Sequence, residues 1–213
     1  MYAMMVQRET LTQERIVAAA LAVADSEGLP ALTMRRLARE LGAAPMAAYA
    51  YFGGKRALLA AVVDAVMGEV ELPEADGRWR KPLRRLAFSL REAFVAHPAV
   101  MPALHAHGAH GPNALAVLDR AHAVLHRAGF APGQAALAVD TLYAYALGAT
   151  SVELAERALK PGARHARFAA LPTAGYPDLA ASLPHVLAAG REARFRAGVE
   201  RILDGIAAAG RST

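Results

Sequence analysis

The sequence predicts an all-α protein. Apolar residues return at spacings of three and four along most of the chain, and runs of alternating β-branched or aromatic residues are absent. With 213 residues, of which 55% are hydrophobic, the chain can bury a sizeable core and has no need of disulfides. We therefore expect roughly nine to ten helices and no sheet.

The first two helices are defined by their ends. Thr12 has a hydroxyl side chain suited to an N-cap, and Gly28 is a residue type that commonly ends a helix. The first helix should therefore lie between them. Thr33 repeats the N-cap signal, and Gly42 supplies a left-handed stop for a short second helix. The buried residues of the first helix should be Ile16, Ala20, Val23 and Ala24, and those of the second Met34, Leu37, Ala38 and Leu41.

A third and a fourth helix follow. Pro45 suits a first helical position, which predicts a helix over residues 45–52 that ends at Gly53 and Gly54. The fourth helix should run from Lys55 to about residue 69, with Leu58, Leu59, Val62, Val63 and Val66 on its apolar side. Because a break follows at residues 73–77, we place the domain boundary near residue 70, between domains 1–70 and 71–213.

The second domain should contain the remaining helices, none of them able to span a membrane once its charges are counted. The amino terminus lacks the apolar run of a signal peptide, and the chain has no cysteine, so we expect a cytoplasmic protein. Residues 161–177 combine prolines, glycines and basic side chains without periodicity and predict a mobile loop. The predicted helices are 79–96, 99–106, 113–128, 132–159, 178–189 and 191–209.

Two short helices at residues 33–41 and 45–52, joined by a tight turn with a glycine, are typical of a helix-turn-helix. In that motif the second helix enters the DNA major groove. An ordinary helical hairpin can show the same pattern. The formal net charge of +5 favours a polyanionic partner only mildly.

The wider string LTMRRLARELGAAPMAAYAYFGGKRALLAAVVD resembles the amino-terminal domain of the TetR family of transcriptional repressors. It departs from the family pattern at Ala44, Ala48 and Tyr51, where Ser, Leu and His are usual. The resemblance implies a homodimeric repressor that leaves a pseudo-palindromic operator when its carboxy-terminal domain binds a small-molecule effector. The matching residues are Thr33, Leu37, Ala38, Leu41, Gly42, Tyr49, Phe52, Lys55, Leu58 and Leu59.

The candidate DNA contacts are of three kinds. Hydroxyl groups, a lysine and a helix start suit phosphates, adjacent arginines present one side chain to DNA, and small apolar residues suit thymine methyl groups. Since residues 45–52 carry no charge or amide, specificity should depend on Arg35 or Arg36, on DNA shape and on half-site spacing. The candidates are Thr33, Arg35, Arg36, Pro45, Met46, Ala47, Tyr49, Ala50, Tyr51 and Lys55.

In the second domain we expect the dimer interface on the helices near 132–159 and 191–209. Ala146, Gly148, Ala149 and Ser151 are small enough to let a partner helix approach closely. Effector contacts are sought among large apolar or amphipathic side chains, for each of which core packing is the alternative. These candidates are Phe88, Phe94, Met101, His105, Leu118, His122, Tyr143 and Tyr145.

Other functions are less favoured. Enzyme motifs for serine hydrolases, nucleotide binding and zinc peptidases are absent, and no cofactor is expected. Arg84, Arg85 and Arg91 form either an anion-binding patch or a solvated helix face. The main alternative function is a helical small-molecule-binding dimer whose DNA binding has decayed. A metalloenzyme is a third, based on the spacing of His105, His107 and His110 and of His122 and His126.

Overall fold

A computed structural model describes residues 11–44 and 47–210. This part of the chain contains ten α-helices and no strand, which confirms the all-α prediction. The helices are α1 (Gln13–Glu27), α2 (Met34–Glu40), α3 (Lys55–Met67), α4 (Arg80–Ala96), α5 (Met101–His107), α6 (Pro112–Arg127), α7 (Pro132–Arg157), α8 (Ala163–Ala169), α9 (Pro177–Ala188) and α10 (Arg191–Ala209).

The ends of α1 and α2 lie where their caps predict. The Thr12 hydroxyl accepts a hydrogen bond from the Arg15 N–H at 3.2 Å, and Thr33 accepts one from the Arg36 N–H at 3.1 Å. Gly42 has φ +58°, and the Ala43 N–H donates to the Ala38 carbonyl at 3.0 Å, as in a Schellman motif. Local side-chain chemistry therefore fixes both helices.

The helix predicted over residues 45–52 is largely absent from the described residues. Only Ala48–Ala50 form a single 3-10 turn, while Pro45 and Met46 lie outside the part described. The segment is short, has Ala44 in place of a capping side chain and runs into two glycines, so little offsets the cost of starting a helix. Among the described residues, the prediction of a full helix was therefore wrong at residues 47, 51 and 52, and residues 48–50 form a 3-10 turn in place of an α-helix.

One compact unit contains the described residues up to Gly68 together with His97–Ala114. Within it α3 packs against α1 and α5, and its predicted apolar side is buried. The Asp64 carboxylate accepts hydrogen bonds from the backbone N–H groups of Asn113 at 3.3 Å and Ala114 at 3.0 Å. Asp64 of α3 thus caps the first turn of α6, which keeps that turn in this unit.

The second unit contains Glu69–Ala96 and the described residues from Leu115 onward. Its core is α7 packed against α4 and α10. The Arg91 guanidinium of α4 forms a buried ion pair with Glu153 of α7, at 2.7 and 2.8 Å. Arg84 and Arg85 are also ion-paired, with Glu200 and Glu71, so the three arginines are not a uniformly solvated face.

Residues 161–177 are more regular than the predicted loop. They contain α8 and a 3-10 turn at Thr173–Gly175. Arg164 pairs with Glu156 of α7 at 3.0 Å and lies over the Phe168 ring, so tertiary contacts stabilise a helix too short to show apolar periodicity.

The expectation that no helix is able to span a membrane was wrong for α7 as far as length and composition are concerned. In the described residues it is the one helix whose length and composition would let it cross a membrane. Its Ala138, Val139, Leu142 and Ala146 are buried within the second unit, as in the core helix of a folded domain.

Candidate DNA-binding surface and effector cavity

The two adjacent arginines of α2 have different surroundings. Arg36 is half-buried and forms ion pairs with Glu27 at 2.6 Å and Glu40 at 2.8 Å. Hydrogen bonds to these two carboxylates raise the pKa of Arg36 above its ordinary value. Arg35 is exposed, and no carboxylate of the described residues pairs with it. Arg35 is therefore the arginine available to a phosphate or a base edge.

The two tyrosines of the turn after α2 also differ in their surroundings, since one is bonded within the protein and the other is exposed. The Tyr51 hydroxyl donates to the Leu11 carbonyl at 2.6 Å, and the Gln13 amide donates to the Tyr51 carbonyl at 3.3 Å, which ties the turn to the start of α1. Tyr49 is 45% exposed and makes no such bond within the described residues.

The other candidates in this region lie at the surface. The 48–50 turn packs against α2, whose Thr33 is exposed, and Lys55 is exposed at the first position of α3. Ala50 is exposed and Ala47 half-buried. Arg39 is not among the residues predicted from the sequence pattern, although it is exposed and lies four residues after Arg35 on the same helix face. That spacing was the signal that could have found it.

The second unit encloses a small apolar cavity between α4, α6 and α7. Its volume is about 30 Å³, which is room for one or two water molecules. Tyr143 is its one hydroxyl-bearing lining residue, and burial raises the pKa of that phenol. The cavity is lined by Leu83, Leu86, Ala87, Leu90, Val117, Leu118, Ala121, Val139, Leu142, Tyr143 and Ala146.

The predicted effector residues do not form one site. Leu118 and Tyr143 line the cavity, whereas Phe88 and Tyr145 both contact the ring of Phe195 elsewhere in the second unit. Phe94 is fully buried in the core. His122 lies with its Nδ1 at 2.7 Å from the Leu118 carbonyl, and Met101 and His105 belong to the first unit.

Comparison with known proteins agrees with this arrangement of a helix-turn-helix region and a helical cavity. Residues 16–62 match the family model of the bacterial regulatory proteins of the tetR family, and residues 72–209 match that of the tetracyclin repressor-like carboxy-terminal domain. The chain belongs to the TetR family. It is a ligand-responsive, DNA-binding transcriptional regulator, and proteins of this family bind operator DNA, form homodimers and bind small-molecule effectors.

Individual relatives match nearly the whole TetR-family chain. It is 31% identical to the transcriptional repressor DrrR1 of Streptomyces coeruleorubidus, over 93% of this chain and 78% of that protein. It is 32% identical to the class A tetracycline repressor from transposon 1721 of Escherichia coli, over 92% and 91%. The crystal structure of Streptomyces coelicolor ActR in complex with actinorhodin has a TM-score of 0.84 and 32% identity, over 94% and 99%.

The histidines of this TetR-family chain do not meet as a metal site. Among residues 11–44 and 47–210, no three His, Asp or Glu side chains are grouped so that they could hold a metal ion. His105 and His110 are exposed, and the rings of His122 and His126 are 6.2 Å apart between centroids.

Proposed function

We propose that this regulator is a homodimeric repressor that binds a pseudo-palindromic operator and is released by a small, largely apolar effector. The observation that carries the proposal is the separation of roles on the helix-turn-helix surface. Arg36 and Tyr51 are bonded within the protein, while Arg35, Tyr49 and Lys55 remain exposed. A surface with its cations and hydroxyl groups free is suited to phosphate contacts.

We assign DNA contacts to Thr33, Arg35, Arg39, Tyr49 and Lys55, with Ala47 and Ala50 toward thymine methyl groups. Pro45 and Met46 keep the same proposed role from the sequence pattern. Arg36 and Tyr51 act indirectly, because their bonds to Glu27 and Leu11 hold α2 and the following turn in place. Since base contacts would be few, affinity should depend strongly on salt.

The effector is proposed to enter the cavity between α4, α6 and α7. Its apolar lining selects an apolar molecule, and the Tyr143 hydroxyl supplies a hydrogen bond that orients it. At about 30 Å³ the cavity is far smaller than a drug-sized ligand requires, so binding must move the surrounding helices apart. The effector would therefore bind one conformation of the protein more tightly than another. This difference in affinity is what an effector needs in order to change DNA binding.

The dimer interface is proposed on α7 and α10. Helix α7 exposes a stripe of apolar or small residues at spacings of three and four, from Leu137, which is 73% exposed, to Ala155. A helix face of this kind is stabilised when a partner helix covers it. The stripe is Leu137, Thr141, Ala144, Gly148, Val152 and Ala155.

The test is fluorescence anisotropy with a labelled duplex from the gene's own upstream intergenic region, in excess random DNA and across a salt series. The proposal is supported if binding resists the competitor and if the logarithm of the binding constant falls linearly with the logarithm of the salt concentration. Apolar compounds are then screened for release, with Tyr143→Phe as the variant that should respond less. If neither this duplex nor fragments selected genome-wide bind above competitor, the alternative of a ligand-binding dimer without DNA function is favoured.

A further inference from the structure

A strongly basic pocket lies where the end of α7, the start of α8 and the start of α10 come together in the second unit. Its volume is about 580 Å³. Five cationic side chains line it, against the single carboxylate of Glu156, which leaves an excess of four positive charges. The cationic residues are Arg157, Lys160, Arg164, Arg191 and Arg194.

The protein neutralises these cations only in part. Glu156 pairs with Arg164 at 3.0 Å, with Arg191 at 3.8 Å and with Arg194, so one carboxylate serves three guanidinium groups. Glu153 pairs with Arg157 but also with the buried Arg91, and this second pair contributes no net charge. The excess of four therefore remains after the nearby ion pairs are counted.

A further feature favours an anion at this place. Helix α10 begins at Arg191 without a side-chain cap, so its first N–H groups and dipole also favour negative charge.

We propose that this pocket binds a small multivalent anion, a phosphate or a polycarboxylate, at a site separate from the apolar cavity. The guanidinium groups of Arg164 and Arg191 suit bidentate contacts with its oxygen atoms. Lys160 adds a point charge at the rim, since it is exposed and has no ion pair among the described residues. The two sites should select different ligands. The basic pocket attracts anions, whereas the apolar cavity has no cationic lining residue to bind them.

Isothermal titration calorimetry of the full-length protein tests this site with two probes, inorganic phosphate and citrate. Sodium chloride at matched ionic strength is the blank. We expect saturable binding of at least one probe, and the comparison of the two distinguishes a phosphate ligand from a polycarboxylate. The proposal would be overturned if both probes gave no more heat than the chloride blank. That result would also be expected if acidic groups of a second copy filled the pocket.

Variants separate a built site from general charge attraction. Arg164→Gln with Arg191→Gln should weaken binding about tenfold or more, because two charge-assisted contacts are lost. Arg78→Gln with Arg196→Gln removes the same charge outside the pocket and should leave affinity unchanged. Lys160→Gln, which breaks no ion pair, should cost about two- to fivefold and serves if the first variant fails to fold. Equal affinities in all variants would sink the idea.

Discussion

At the scale of single residues, Arg35 and Arg36 are neighbours with different surroundings, for which we propose different roles. Arg35→Ala should weaken operator affinity about tenfold, because it removes an exposed charge from the proposed DNA surface. Arg36→Ala should instead lower the thermal midpoint, because it leaves Glu27 and Glu40 without their partner. Anisotropy with the operator and thermal unfolding measure the two effects. A larger loss of affinity for Arg36→Ala than for Arg35→Ala, at equal stability, would contradict the assignment.

Gly198 is a second residue with a specific structural role. A Cβ built on it would overlap the phenol of Tyr145, whose hydroxyl donates to the Phe195 carbonyl at 3.1 Å. Alanine is normally favoured over glycine inside a helix, but here overpacking should win. We expect Gly198→Ala to lower the free energy of unfolding by about 1–3 kcal/mol, measured by urea denaturation at fixed protein concentration.

Two further variants give that measurement its controls. Gly133 of α7 has open space around its Cβ position, so Gly133→Ala should be neutral or slightly stabilising. In a Tyr145→Leu background the cost of Gly198→Ala should shrink, because the overlapping ring is gone. An unchanged cost in that background would assign the effect to something other than Tyr145.

At the scale of helices, Glu200 joins α10 to α4 through ion pairs with Arg84 and Arg80. Hydrogen bonds from these arginines lower the pKa of Glu200 to about 2, from an ordinary value of 4.5. A lowered pKa means that the pair stabilises the fold above pH 4.5, and that this stability is lost as the pH falls toward 2. Glu200→Gln should therefore be less stable than the wild type at neutral pH, by about 1 kcal/mol after solvent screening.

Urea denaturation at several pH values checks this prediction. The difference between Glu200→Gln and the wild type should shrink through the acid range and vanish near the lowered pKa. Glu92→Gln, on the exposed side of α4, is the control and should change stability little at any pH. A difference that stays constant from neutral pH into acid would mean that packing, not charge, holds Glu200.

The helices also show which parts of the fold sequence can predict. The ends of α1 and α2 were predictable because a threonine cap and a glycine stop act within a few residues. Helix α8 was not, because it depends on the contact of Arg164 with Glu156, which lies in a different helix. At residues 47–52 the sequence predicts more helix than forms, since helix-compatible residues there run into Gly53 and Gly54 and only Ala48–Ala50 make a 3-10 turn.

The same limit applies to the candidate site. The position of Thr33 as the N-cap of α2 could be predicted from local sequence alone, because its hydroxyl accepts from the Arg36 N–H three residues later. The division of roles between Arg35 and Arg36 could not, because it depends on Glu27 in another helix. Sequence likewise offers Tyr51 as a DNA contact, but it cannot show that the Tyr51 hydroxyl donates to the Leu11 carbonyl, forty residues earlier in the chain.

At the scale of the whole molecule, chain order and spatial grouping differ. The sequence pattern predicts one boundary near residue 70, whereas in the structure the segment His97–Ala114 groups with the amino-terminal residues. Asp64 explains part of this grouping, because it caps the first turn of α6 from α3. Helix α6 continues from that capped turn to Val117 and Leu118, which line the apolar cavity. The helix is thus a covalent connection between the proposed effector site and the DNA-binding unit.

The exposed stripe of α7 also bears on the assembly of two chains. If the exposed stripe of α7 is the dimer interface, Leu137→Asp with Val152→Asp should convert the dimer to a monomer, since each burial would cost an unpaired charge. Size-exclusion chromatography with light scattering measures the change. Loss of the second half-site contact should lower operator affinity about a hundredfold, with the fold intact by circular dichroism.

The matched control for this variant is Leu115→Asp. Leu115 of α6 is 59% exposed, close to the 58% of Val152, but it lies outside the stripe. This change adds a charge at an exposed leucine and should leave both assembly and DNA affinity as in the wild type. Dimers that persist in the α7 variant would place the interface elsewhere. A monomer that still bound the full operator with wild-type affinity would show instead that the two half-sites are not read together.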